Sequence, residues 1–160
     1  MPQIADLLTP TRVEADCGAR SRKAVLERLA ALLAEGIEQP GEEEIARALQ
    51  GREELGSTGL GHGIAIPHGR IGGIAQPRAA FVRLGEGIDF EAIDMEPVDL
   101  FFALLVPEES TDEHLDILSQ LATRFSDAGY LERLRKAEDG WELYRLLIDP
   151  QGQLLRAQGQ

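Results

Sequence analysis

Apolar residues return every three or four positions from Val25 to Leu33 (Val25, Leu26, Leu29, Leu32, Leu33). That is the spacing of one helical face, and Ser21 stands in the capping position ahead of it with Gly36 behind. Before it, 4–8 reads as a short helical or irregular entry and 12–16 as a candidate edge strand. After Gln39-Pro40-Gly41 a second helix is predicted over about 42–54, its first turn carrying Glu42, Glu43 and Glu44 against the positive end of the helix dipole. Gly56 closes it, and a glycine-rich loop leads into a short apolar strand, 63–66, that ends at Pro67-His68. Residues 78–84 alternate weakly and predict a strand. The run 98–106 is apolar almost throughout, which predicts a strand buried on both faces near the centre of a sheet and stopped by Pro107.

Ser110-Thr111-Asp112-Glu113 has the pattern of a capping box. It opens a helix over about 112–127, with Leu115, Leu118, Leu121, Ala122 and Phe125 expected inside. Two shorter helices are predicted near 130–136 and 139–148, the second burying Trp141, Tyr144 and Leu147. Strands and helices mixed in this order predict a single α/β layer domain over 1–149, with a mobile tail over 150–160.

Composition narrows the function classes. At 160 residues, 43% hydrophobic and 28% charged, the chain can bury a core without metal or disulfide help. Sixteen basic against 28 acidic residues leave a net charge of −12, which argues against nonspecific nucleic-acid binding and suits a partner with a basic docking face. The single Cys17 excludes an intrachain disulfide and a cysteine-rich zinc site. No basic-then-apolar signal pattern opens the chain, and the longest apolar run, 100–106, is too short to cross a bilayer. The expectation is a cytoplasmic protein with no membrane insertion.

The chemistry concentrates in Gly59-Leu60-Gly61-His62-Gly63-Ile64-Ala65-Ile66-Pro67-His68-Gly69. His68 follows a stiff apolar segment and a proline, and glycines upstream allow backbone N–H groups close to an anion. A neutral imidazole is a good nucleophile near pH 7, so His68 is the candidate phosphoryl acceptor; the bland alternative is a strand-end histidine bonded to backbone. Arg52, near the end of the second helix, is either a solvated helix residue or a guanidinium fork for phosphoryl oxygens. Ser57 and Thr58 are candidate hydroxyl donors whose alternative is turn capping. His114 sits in the first turn of its helix, from which a ring leans toward the N-terminus and any anion held there; the alternative is an exposed helix residue. His62 reads as a solvated loop residue. The spacing of Gly56 and Gly61 is no P-loop, since His62 stands where the lysine belongs, and no helical His pair offers metal ligands.

Glu53, Leu60-Gly61 and Ile64-Ala65-Ile66-Pro67-His68-Gly69, at their spacing, resemble the phosphorylation-site signature of enzyme IIA in the fructose/mannitol class of the bacterial phosphotransferase system. Phe90-Glu91-Ala92-Ile93-Asp94, the run from Pro97 to Pro107, and Thr111-Asp112-Glu113-His114-Leu115 further resemble its nitrogen-regulatory, PtsN-like branch. The resemblance implies a mixed sheet flanked by helices and no cofactor. It implies that phosphoenolpyruvate phosphorylates an enzyme I homologue, then an HPr-like carrier (NPr), and that the carrier donates to His68. It places the second active-site histidine on His114 and the arginine on Arg52, with Ser57, Thr58, Gly59 and Gly61 in the phosphoryl-binding loop. Regulated partners would include potassium-transport components or sensor kinases. Three alternatives stay open: a sugar-transport IIA that passes phosphate to a IIB component, a binding regulator that has lost transfer, and, more distantly, a metallohydrolase.

Overall fold

The computed structural model describes residues 3–110 and 112–151. The chain begins with a short helix, α1 (Ile4–Leu7), and a 3-10 turn (Pro10–Arg12) that feeds β1 (Val13–Cys17). Two helices follow, α2 (Arg22–Leu33) and α3 (Glu42–Glu54). Ser21 caps α2 by accepting the Ala24 N–H, as its position in the sequence predicts. Then come β2 (Gly59–Gly61), β3 (Ile64–Ala65), β4 (His68–Ile71), β5 (Arg78–Ile88) and β6 (Val98–Pro107). The chain closes with α4 (Asp112–Arg124), α5 (Ala128–Lys136) and α6 (Gly140–Ile148).

The six strands form one mixed sheet in the order β1-β5-β6-β3-β2, with β4 also paired to β6. β5 and β6 are antiparallel, Phe81 opposite Phe102, while β1 runs parallel to β5. β3 and β4 both run parallel to β6 along its other side, Ile64 level with Leu100 and His68 level with Leu104.

β6 is the centre because its pattern allows nothing else. All its residues but Asp99 are buried, so both faces need covering. Leu100, Phe102, Leu104 and Val106 pack with Ile117, Leu121 and Phe125 of α4 and with α5 and α6; Phe101, Ala103 and Leu105 pack with α2 and α3. A one-residue slip would exchange the two sets, so the register is strongly specified.

Several expectations are corrected. Residues 59–61, expected as loop, form the outermost strand on their side of the sheet, and β4 was not foreseen at all. β5 runs on to Ile88 rather than stopping at Leu84. On α4, Leu115 is 63% exposed and Ala122 is exposed as well, because the buried stripe is His114, Ile117, Leu121 and Phe125. A shift of one residue rotates a helix by about 100°, enough to put Leu115 outside. On α6 the buried pair is Leu143 and Leu147, so Trp141 faces away, 58% exposed, with its ring 5.8 Å from that of Tyr144. The capping box of Ser110 and Glu113 spans Thr111, which lies outside the described residues together with the tail over 152–160. No helix among the described residues is long and apolar enough to cross a membrane.

Candidate functional site

β3 and β4 follow one another along β6, interrupted at Ile66-Pro67. The Pro67 carbonyl accepts the Leu104 N–H at 2.9 Å, so His68 enters β4 with its backbone already tied to the central strand. Side chains alternate along a strand. His68 and Arg70, paired with Leu104 and Val106, therefore share the face covered by α4, and Gly69 points the other way. A Cβ on Gly69 would stand 3.3 Å from the backbone of Ala48, so glycine lets α3 lie close against β4. Arg52, one helical turn beyond Ala48, comes to the edge where both imidazoles feel its charge.

His68 is half-buried, and its Nδ1 lies 2.7 Å from the Ile66 carbonyl oxygen. A carbonyl only accepts, so Nδ1 carries the proton and Nε2 is left with its lone pair. The backbone bond at Nδ1 is the one set out above as the bland alternative, and it leaves Nε2 free for nucleophilic chemistry. The His114 ring stands perpendicular to that of His68, centroids 5.4 Å apart. His114 is only 7% exposed, and its Nδ1 has no hydrogen-bond partner among the described residues.

Burial is the largest influence holding His68 below the usual histidine pKa; the bond to Ile66 opposes it, while Arg52 and His114 reinforce it. His114 is lowered too, by burial first, then Arg70, then Arg52. Free imidazole titrates near ~6.5, so both rings are neutral at pH 7. Among the described residues, the charged side chains acting on the pair are arginines, with no carboxylate.

The segment between α3 and β3, a turn followed by β2, is held from behind. Glu53, 2% exposed, accepts the Thr58 N–H at 2.9 Å and also the Thr58 hydroxyl. The Ser57 hydroxyl donates to the Phe90 carbonyl at 3.0 Å and accepts the Gly59 N–H at 3.1 Å. Arg52 Nη1 donates to the Gly56 carbonyl at 2.9 Å. The hydroxyl hydrogens of Ser57 and Thr58 and the amides of Thr58 and Gly59 are thus engaged inside the protein rather than open to an anion. The glycines serve a close approach of another kind: a Cβ on Gly59 would stand 2.9 Å from the Ala92 Cβ, and one on Gly61, at φ +90, would stand 3.3 Å from the Asp94 carboxylate. His62 is exposed and gives its N–H to Asp94, a loop residue as expected.

The fold therefore brings His68, His114 and Arg52 together, with Ser57 and Thr58 in the supporting turn and Gly59 and Gly61 in β2 beside it. Sequence reasoning passed over Arg70 and the physical role of Glu53. Alternation from His68 to Arg70 would have found the first, had β4 been recognised as a strand.

The family model described as "Phosphoenolpyruvate-dependent sugar phosphotransferase system, EIIA 2" matches residues 6–149. A nitrogen regulatory protein of Pseudomonas aeruginosa is 42% identical over 151 residues, covering 94% of this chain and 98% of its own. One of Escherichia coli is 42% identical over 151 residues, covering 94% and 92%. The crystal structure of nitrogen regulatory protein IIA-Ntr from Neisseria meningitidis superposes with a TM-score of 0.84 at 40% identity, over 90% of this chain and 98% of that one. Mannitol IIA of Escherichia coli, with a TM-score of 0.72 at 23% identity over 88% and 98%, shares the fold. With its mixed sheet, its family-model match and these relatives, the chain belongs to the EIIA 2 family of the phosphoenolpyruvate-dependent phosphotransferase system, in the nitrogen-regulatory branch.

Proposed function

We propose that this protein is a regulatory phosphoryl carrier: His68 accepts a phosphoryl group on Nε2 from the phosphohistidine of an HPr-like carrier (NPr), and the two charge states act differently on regulated partners. The observation that carries this reading is the 2.7 Å contact of His68 Nδ1 with the Ile66 carbonyl, which fixes the tautomer and leaves Nε2 as the nucleophile beside His114.

The step is in-line. The Nε2 lone pair forms a bond to phosphorus as the donor's P–N bond breaks, and the electron pair of that bond returns to the donor ring. No proton needs to move, since each ring keeps the hydrogen on its other nitrogen. The His68 ring gains positive character, which the Ile66 carbonyl offsets. Arg52 and His114 supply donors and positive field for the phosphoryl oxygens. Thr58 and Ser57 act one step back, by holding the loop on which Arg52 rests. That the relatives are nitrogen regulatory proteins supports a regulatory rather than a sugar-uptake role; potassium-transport components or sensor kinases are the kind of target proposed.

The test is incubation with labelled phosphoenolpyruvate, enzyme I and the carrier. Wild type should take up acid-labile, base-stable label, and label persisting on His68→Ala would refute the acceptor. Arg52→Ala should fold but accept label roughly 10²–10³ times more slowly, the usual cost of losing a charge-stabilising donor; an unchanged rate removes its role. Efficient onward transfer to a purified fructose- or mannitol-type IIB would assign the protein to sugar uptake instead.

A further inference from the structure

Arg70 stands two residues along β4 from His68 and on the same face, about 6.6 Å of strand rise away. Its side chain is exposed, and among the described residues it makes neither a hydrogen bond nor an ion pair. The chain has 28 acidic residues and a net charge of −12, yet none of the described carboxylates pairs with Arg70. Arg12, Arg22, Arg28, Arg83 and Arg135 all pair with carboxylates. Arg70 instead directs its charge at His114, whose ring is perpendicular to the acceptor ring. An unpaired guanidinium acting on the neutral His114, and two residues along the strand from His68, has nothing to neutralise until an anion arrives. A phosphoryl dianion on His68 Nε2 would provide one, and the planar fork suits two of its oxygens.

We propose that Arg70 is a phosphoryl-binding residue, a second guanidinium that closes on the transferred group from the open side of the pocket while Arg52 approaches from the α3 side. This rests on the carrier reading above and adds to it. Arg52 is half-buried and tied to the Gly56 carbonyl, so it is a fixed part of the wall. Arg70 is exposed and untied, so its position responds to whether His68 is loaded. Phosphorylation would then do two things at once: add negative charge at the acceptor and withdraw a free cation from the surface next to it.

The test compares wild type, Arg70→Gln, Arg70→Lys and the control Arg47→Gln, an exposed arginine on α3 that acts on neither ring. Label is delivered by phosphoenolpyruvate, enzyme I and the carrier, and the phosphorylated proteins are titrated by 31P NMR. Arg70→Gln is expected to lower the maximal rate of transfer at least about tenfold, with Arg70→Lys restoring most of it. The second ionisation of the phosphoryl group is expected to move to higher pH in Arg70→Gln and to stay in place in Arg47→Gln. If wild type is labelled on His68 yet Arg70→Gln matches it in rate and in 31P titration, Arg70 has no contact with the group and this proposal alone falls. If wild type takes no label on His68, the carrier reading falls and this one with it.

Discussion

Glu53 is a carboxylate with 2% of its surface exposed, and it holds that place by accepting two hydrogen bonds from Thr58. Glutamine would keep the shape but turn an amide hydrogen toward one of those donors. A buried donor left without an acceptor costs about 1–3 kcal/mol, so Glu53→Gln should unfold at lower urea by that margin. It should slow phosphoryl uptake less than Arg52→Ala, because Glu53 touches neither imidazole; equal stability of variant and wild type would remove its proposed part. At this scale the sequence was readable where chemistry alone decides. A histidine after proline and glycine-flanked strand, an arginine ending a helix and a histidine opening one were all nameable without coordinates. Where Thr58 and Ser57 aim their hydroxyls was not, since a turn residue caps backbone or faces an anion according to which neighbours the fold delivers.

Among the elements, the contact of α3 with β4 decides whether Arg52 meets His68. Gly69 is the hinge of that contact, since a Cβ there would press on Ala48 at 3.3 Å. Gly69→Val should lift α3, cost about 1–3 kcal/mol through overpacking, and slow label uptake. The effects of Gly69→Val and Arg52→Ala on the rate should then overlap rather than add, because both remove the same guanidinium; full additivity in the double variant would contradict the coupling. β6 could be read from sequence because both its faces are apolar. α4 was misphased because Leu115 looks like a core residue and His114 does not, and the site reverses that preference. β4 was invisible because His-Gly-Arg-Ile carries no strand pattern, and it becomes one only by pairing with β6.

For the whole molecule, the contrast is between an acidic chain and two imidazoles surrounded by arginine charge. Both rings have pKa values below the unfolded value of ~6.5, so the unfolded chain takes up protons first as pH falls. Their contribution to stability is complete above that value and is lost as pH drops from there toward the lowered folded values. Denaturant midpoints measured between pH 8 and pH 5 should therefore fall more steeply for wild type than for the His68→Asn/His114→Asn double variant. Each ring accounts for at most about 1.4 kcal/mol per pH unit. Parallel curves would mean the rings are not held neutral.

β4 pairs with β6 on one side, and among the described residues no strand borders its other side. On the carrier reading, a donor protein can thus approach His68 from the flank without any part of the sheet parting. Its main chain stays clamped to the middle of the molecule throughout. On that reading, loading His68 would rewrite the electric field over one margin and leave the frame where it was. On the carrier reading, whatever listens to this protein tells its two states apart by sensing charge, not shape.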